Sequence, residues 1–297
     1  MRVWRVIGIM AVAAGLLVAP ALSDDAKART VHVSADGADA GKGTRDAPLR
    51  TVQKAVDVAS PGDTIRIGPG VYNENVKITK DRLAIIGAGR NSTVIDGGLQ
   101  DLKSGETKCC FLITGKDLYV ANLSFRRGYR ALTGRGVGTA TITSCHFESP
   151  ASYCSFFDDT RVTFVNCTMA DMPVLASYGL SFDRADVLIV GNWMIGNKRG
   201  VMLDMECTGF LVGNLLYNHR FPGDANGILC ASKCVDVRIE RNYLEKIGGF
   251  CIGWRQGGAP VVVNNVAVNG PDLKQFSVAE NRESYIQGNF GAGLTEK

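Results

Sequence analysis

Short apolar runs, each punctuated by an asparagine, recur down most of this chain. They read Tyr119-Val120-Ala121-Asn122-Leu123, Phe164-Val165-Asn166-Cys167, Ile189-Val190-Gly191-Asn192-Trp193 and Leu211-Val212-Gly213-Asn214-Leu215. The phrase continues as Ile239-Glu240-Arg241-Asn242-Tyr243, Val263-Asn264-Asn265-Val266 and Ile286-Gln287-Gly288-Asn289-Phe290, and Ser144 substitutes once in Ile142-Thr143-Ser144-Cys145. Rungs at 122, 144, 166, 192, 214, 242, 265 and 289 are 22, 22, 26, 22, 28, 23 and 24 residues apart. A period of that length, built from short β-type runs, predicts a solenoid. Its turns would stack at strand spacing, roughly 4.8 Å. Equivalent Asn side chains would then lie above one another at a bend and satisfy each other's buried amide groups.

Ahead of the ladder the pattern changes. Thr30–Ser34 reads as a strand and Ala35–Ala47 as a Gly/Asp-rich loop. Leu49, Val52, Ala55, Val56 and Ala59 fall on one helical face, with Pro48 at its start and Pro61-Gly62 as its stop. Strands follow at Thr64–Ile67 and Val76–Ile78. A short amphipathic helix here would cap the open end of the coil, covering its core and backbone edge. Residues 99–111, with vicinal Cys109 and Cys110, form a polar insertion, because Gly87 in the ladder column stands 35 residues before Asn122.

Bulk properties narrow the possibilities. Hydrophobic content of 45%, 35 Gly and only 21% charge suit an all-β chain with many tight bends. Net charge is +4, part of it from Arg2 and Arg5, which gives no electrostatic case for nucleic acid or an anionic membrane. Those two arginines precede an apolar run from Ile7 to Val18 and then Pro20-Ala21-Leu22-Ser23. This is the pattern of a secretory signal peptide over residues 1–23, too short to span a bilayer comfortably. The expectation is a secreted or periplasmic protein with no membrane span in the mature chain. Nine Cys permit disulfides there and leave at least one thiol over. Cys145 and Cys167 should stack in adjacent turns, either bridged or as buried thiols.

Between rungs, Cys154-Ser155-Phe156-Phe157-Asp158, Gly179-Leu180-Ser181-Phe182-Asp183 and Gly200-Val201-Met202-Leu203-Asp204 repeat one coil apart. Strand alternation turns Phe157, Phe182 and Leu203 inward and stacks Asp158, Asp183 and Asp204 on the outside. Three stacked carboxylates call either for a cation such as Ca²⁺ or for shared protons and acid–base work on a glycosidic bond. Across the strand that begins at Gly200 the turn is basic, with Lys198, Arg199, His219 and Arg220, and Arg130 in the corresponding turn after Asn122. Cations of this kind beside carboxylates are what β-elimination of a uronide requires, as base and as charge neutraliser. His219 is the easiest base near neutral pH. Tyr178, Trp254 and Arg255 fall in the same part of the coil and suit contacts with sugar.

One resemblance covers essentially the whole mature chain. Val33-Ser34 through Gly43-Thr44, Pro48-Leu49-Arg50-Thr51-Val52-Gln53-Lys54-Ala55-Val56, Pro61-Gly62-Asp63-Thr64-Ile65 and Pro69-Gly70-Val71-Tyr72 resemble the opening of secreted right-handed parallel β-helix proteins of the pectate-lyase-like superfamily. Leu83-Ala84-Ile85-Ile86-Gly87 and Thr93-Val94-Ile95-Asp96-Gly97-Gly98 extend it into the first coils. The resemblance implies an all-β, right-handed, three-sheet parallel β-helix, with a capping segment about 30–63 and coils about 64–297 forming one domain over 24–297. It also implies polysaccharide lyases, hydrolases, esterases and epimerases, without selecting among them. Asp158-Asp159 resembles the paired Asp of polygalacturonases, but no Gly-His-Gly or Arg-Ile-Lys follows, and neither Asp-Phe-Ile-Phe-Gly nor Asp-Pro-His occurs. The leading expectation is a lyase acting on an acidic polysaccharide. The alternatives are hydrolysis by paired Asp and a non-catalytic glycan-binding scaffold. No cap is visible after Asn289, so a second copy of the chain is one way to cover the last coil.

Overall fold

The computed structural model describes residues 28–98, 108–170, 178–219, 225–234, 236–268 and 286–291. The stretch read as a signal peptide, most of the 99–111 insertion, Arg220 and the region following the last coil lie outside them. Every turn makes three strands. Asp186–Val190, Trp193–Ile195 and Val201–Asp204 form one circuit, and Thr208–Val212 begins the next directly on top of Asp186–Val190. Pairing between turns is parallel throughout. The result is a right-handed coil with three walls. We call the wall containing Val201–Asp204 the first, that containing Asp186–Val190 the second, and that containing Trp193–Ile195 the third. Strands Arg130–Thr143 and Tyr153–Val165 run round a corner from the first wall into the second, fusing those walls into a 17-stranded sheet. The third wall is a separate ten-stranded sheet.

The interior is filled by columns of equivalent residues. Phe157, Phe182, Leu203, Cys230 and Trp254 stack in register on the inner side of the first wall, all fully or almost fully buried. Gly179, Gly200 and Gly227 open this wall, because a Cβ at each would come within 2.7, 2.4 and 2.4 Å of a carbonyl oxygen in the following turn. At the N-terminal end the expected helix forms over Val52–Val58, with Thr51 Oγ1 accepting from the Lys54 N–H at 3.2 Å. It is shorter than its apolar periodicity suggested. Leu49 bridges Val33 as extended chain, and Ala59 has already returned to extended backbone. The Glu74 carboxylate, reaching from the first full coil, accepts from the Val52 and Gln53 N–H groups at 2.9 Å each and pins the helix start.

The asparagine ladder is real, but its upper part is displaced by one residue from the sequence reading. Asn192, Asn214, Asn242, Asn265 and Asn289 form it. From Asn214 on, each Oδ1 accepts both the backbone N–H and the Nδ2 of the rung before, at 2.8–3.0 Å, and Asn192 Oδ1 accepts the Cys167 N–H at 2.9 Å. Asn122, Ser144 and Asn166 occupy the preceding column instead, where φ lies between 53° and 58°. Gly191, Gly213 and Gly288 share that left-handed conformation further down, and Asn and Gly are the residues that accept it most cheaply. The ladder above Asn192 continues through Cys167 and Cys145. The Cys167 thiol points at Ile142 O and Val165 O (3.6 and 3.4 Å), as Asn192 Nδ2 points at Phe164 O and Val190 O (3.0 and 3.2 Å). The two are stacked buried thiols, not a disulfide, and all nine cysteines are buried.

Removing one rung breaks buried hydrogen bonds to the turn before and to the turn after. Asn214→Ala takes the acceptor from both Asn192 donors and is expected to lower unfolding free energy by about 2–3 kcal/mol in denaturant titration. Asn166→Gly, on the exposed left-handed column, should stay within about 0.5 kcal/mol of the parent.

Candidate functional site

At the downstream edge of the first wall the outward residues are Arg135, Asp158, Asp183 and Asp204, paired in consecutive turns. The residue following each of them, Gly136, Asp159, Arg184 and Met205, has positive φ, so the chain turns sharply there and leaves the three carboxylates on one border. The next two turns present Ala231 and Arg255, whose backbones continue the pairing to Leu203 and Cys230.

The three carboxylates differ in environment. Asp158 is 1% exposed and clamped by two guanidinium groups, Arg135 Nε at 2.8 Å and Arg184 Nη2. Asp96 is held the same way by Arg126 and Arg127 on the third wall, so burial with two arginines recurs in this fold as a structural device. Asp204 Oδ1 accepts from the Met205 N–H at 2.8 Å, which leaves its other oxygen available. Asp183, between them, is half-buried. Its carboxyl is pushed above its ordinary value of 3.8, first by burial and then by the neighbouring Asp204 and Asp158 charges, against the pull of Arg184 and Arg135. Among the described residues no group of three or more His, Cys, Asp or Glu side chains converges as a ligand set. The capacity of Asp158 is already spent on arginine.

A groove of about 590 Å³ runs beside this edge, lined by Arg184, Met205, Glu206, Ser232, Lys233 and Gln256. Lys233 Nζ lies 3.5 Å from the Glu206 carboxylate. Ser232 Oγ donates to Gln256 Oε1 at 3.0 Å.

The upstream edge of the same wall is cationic and aromatic. Arg130, Tyr153 and Tyr178 are paired in register, and Arg199 continues the column. The Tyr153 and Tyr178 rings stack 5.2 Å apart at 2°. Arg130 Cζ lies 4.9 Å from the Tyr153 centroid and 4.8 Å from that of Phe156. Arg199 Cζ sits 4.7 Å over Tyr178 and its guanidinium also donates to the Tyr178 hydroxyl. Lys198 is half-buried on this corner. Arg199 and Asp204 are separated by five residues of extended chain, roughly 16 Å. The basic turn and the acidic column therefore bound the wall from opposite sides.

Two expected site residues are not on this surface. His219 is fully buried, with Nδ1 3.4 Å from Asn226 O and Nε2 3.2 Å from Met194 O. Desolvation pulls its pKa down to about 4, so it is a neutral interior group and not a base facing substrate. Trp254 is 1% exposed because it continues the inward Leu203–Cys230 column; only Arg255, one residue on, faces out. Arg220 lies outside the described residues. Sequence reasoning in turn missed Arg135, Arg184 and Lys233. Arg135 stands 23 residues, one coil, before Asp158, and Arg184 follows Asp183 directly.

Parallel walls of one-residue register, an amide ladder and an edge of charged groups define a β-solenoid of the right-handed helix class. The chain belongs to the right-handed β-helix family, whose profile matches residues 130–290. Residues 35–91 match a second family, described as a protein of unknown function, DUF1565. Pectate lyase PEL9 of Emericella nidulans is 46% identical over 59 residues, which are 19% of this chain and only 14% of that protein. Among solved structures, pectate lyase Pel9A superposes with a TM-score of 0.63 at 15% identity, over 92% of this chain and 79% of that one. A rhamnogalacturonan lyase gives 0.61 at 13%, covering 88% and 87%. These likenesses establish the coil. Among the described residues no helix is long and apolar enough to cross a membrane.

Two titrations follow. Because the folded pKa of Asp183 is raised, the folded state holds its proton more tightly, so this residue costs stability as pH rises through the raised value. Asp183→Asn should raise the melting temperature at pH 7, with the gain vanishing toward the ordinary carboxylate range. His219 has the opposite sign: its folded pKa is depressed, so stability is lost as pH falls from about 6.5 toward about 4. The full loss, about 3 kcal/mol, should appear in denaturant titrations across that window.

Proposed function

We propose that the edge carrying Asp183 and Asp204 binds a uronate-containing polysaccharide and cleaves it by β-elimination. The observation that carries this reading is the mixed charge of that edge. Two carboxylates with oxygens to spare stand among Arg135, Arg184 and Lys233, on the border of an open groove. Arg135 is 76% exposed and Arg184 49%, so each clamps Asp158 with one side of its guanidinium while the rest faces solvent. A uronate brings a carboxylate to that surface, and guanidinium groups bind carboxylates in paired hydrogen bonds. The pectate-lyase-like fold lends further support.

Elimination needs a base at the sugar's C5 and positive charge near the adjoining carboxylate. Lys233 is the amine bordering the groove. In its neutral form Nζ takes the C5 proton, the C–H electron pair becomes the C4–C5 double bond, and the C4–O bond breaks. The departing oxygen takes a proton from water. Lys198, Arg199 and Tyr178, on the far edge, suit docking of neighbouring sugars better than proton transfer at the same bond. Asp183 and Asp204 are the residues that would hold a Ca²⁺, and its remaining oxygens would come from uronate and water. Bound there, the ion would supply positive charge beside the substrate carboxylate.

The raised pKa of Asp183 favours a second reading, hydrolysis. A protonated Asp183 could donate to the glycosidic oxygen, with Asp204 one strand spacing away, close to the ~5 Å separation of a retaining pair.

Incubation with polygalacturonate, with and without Ca²⁺, separates these readings. Elimination predicts an ultraviolet-absorbing unsaturated product and a fall of about 100-fold or more in Lys233→Ala. Reducing ends without a double bond would favour hydrolysis. No product from a panel of uronate polymers would overturn both, leaving a glycan-binding scaffold.

A further inference from the structure

The third wall, on another side of the coil, carries a feature that the charged edge does not use. Its outward column reads Thr168, Trp193, Leu215, Tyr243, Val266 and Phe290, one residue per turn with no slip in register. Trp193, Tyr243 and Phe290 are 56%, 37% and 72% exposed, and Leu215 and Val266 are half-buried between them. Large apolar side chains in a continuous exposed line are unusual on a soluble protein and mark interaction surfaces.

The spacing of the rings is informative. They occupy alternate turns, so successive rings lie about 9.6 Å apart, twice the strand spacing, along a line parallel to the coil axis. A β-1,4-linked pyranose chain is a nearly flat ribbon that repeats every two sugars over nearly the same length. Each sugar has an apolar C–H face that packs on an aromatic ring and hydroxyls at its rim. Such hydroxyls would meet partners in the adjoining column of the same wall. There Tyr243 Oη donates to Glu245 Oε2 at 3.0 Å, and Lys246 Nζ donates to Tyr217 Oη at 2.7 Å. At the head of the line a pocket of about 260 Å³ opens beside Trp193, lined also by Arg90, Asn166 and Thr168.

Charge selects the ligand. The six residues of the column carry none, and the adjoining Glu245 and Lys246 neutralise each other at 3.6 Å. A uronate chain finds no row of cations here, whereas an uncharged glycan loses nothing. Size argues against a second copy of this chain, since a line one residue wide falls far short of the roughly 20–30 residues a side in a stable protein interface. We propose that this aromatic line is a binding site for an uncharged β-1,4-linked glycan, held along the coil axis. The proposal does not depend on the chemistry of the first wall.

Of the three tryptophans, Trp193 is exposed, Trp254 is sealed in the core and Trp4 lies outside the described residues, so a fluorescence response lost in Trp193→Ala reports on the site. Titration of the full chain with cellohexaose and mannohexaose should give saturable quenching or a blue shift for at least one of them. Affinity should fall tenfold or more in Phe290→Ala and Tyr243→Ala, followed by calorimetry, and the fluorescence response should disappear in Trp193→Ala. Tyr243→Phe should retain most of the binding, and Asp183→Asn all of it. Unchanged far-ultraviolet circular dichroism and melting temperature would show that the variants fold. Absence of saturable binding to either hexasaccharide, or parental affinity in both Phe290→Ala and Tyr243→Ala, would overturn the proposal. Cleavage of polygalacturonate by Trp193→Ala is read separately, so the two walls stand or fall independently.

Discussion

One amide per turn, bonded to the amide above it, sets the geometry of this coil. Asn Oδ1 receives two donors from the preceding rung, and Nδ2 reaches a carbonyl on the second-wall strand of that turn, as Asn214 Nδ2 does with Ile189 O at 2.9 Å. The bend between the second and third walls is therefore closed by buried hydrogen bonds, and neighbouring turns cannot slide without breaking them. Register follows from this. Because every turn is locked to the next at one residue, side chains placed a coil apart in sequence become neighbours on a wall. The Asp158–Asp183–Asp204 column and the Trp193–Tyr243–Phe290 line both depend on that lock.

The sequence periodicity was sufficient to read the coil, and its error is instructive. Two adjacent columns at the bend both favour Asn, one for a buried amide and one for a left-handed backbone. In the lower turns they appear as Gly-Asn or Asn-Asn pairs, such as Gly213-Asn214 and Asn264-Asn265, and once as Arg241-Asn242. In the upper turns the left-handed position keeps its Asn or Ser while the ladder position becomes Leu123, Cys145 and Cys167. Counting Asn alone therefore jumps columns. The long interval from Asn166 to Asn192 combined a real coil of 25 residues, from Cys167, with that one-residue jump.

The acidic column was legible because strand alternation is unambiguous within a wall. The same alternation placed Trp254 inward, since it is equivalent to Leu203, one residue before the position of Asp204. What alternation does not describe is a corner. His219 belongs to one, and its ring is consumed by interior carbonyls. Electrostatics then divided three equivalent carboxylates into unequal roles. Asp158 is paired with arginines from the turn before and the turn after, Asp204 is partly occupied by its own bend, and Asp183 is left with its own burial first and its neighbours' charge second. Identical positions in a repeat are not chemically identical once their flanking turns differ.

The unslipped pairing of the third wall has an evolutionary corollary. A coil whose turns touch only their immediate neighbours can gain or lose a whole circuit without disturbing the packing elsewhere. An aromatic line written at one residue per circuit would lengthen or shorten in fixed increments, like marks on a ruler. Duplication of turns would thus lengthen that line by whole steps while the charged edge on a different side kept its own residues.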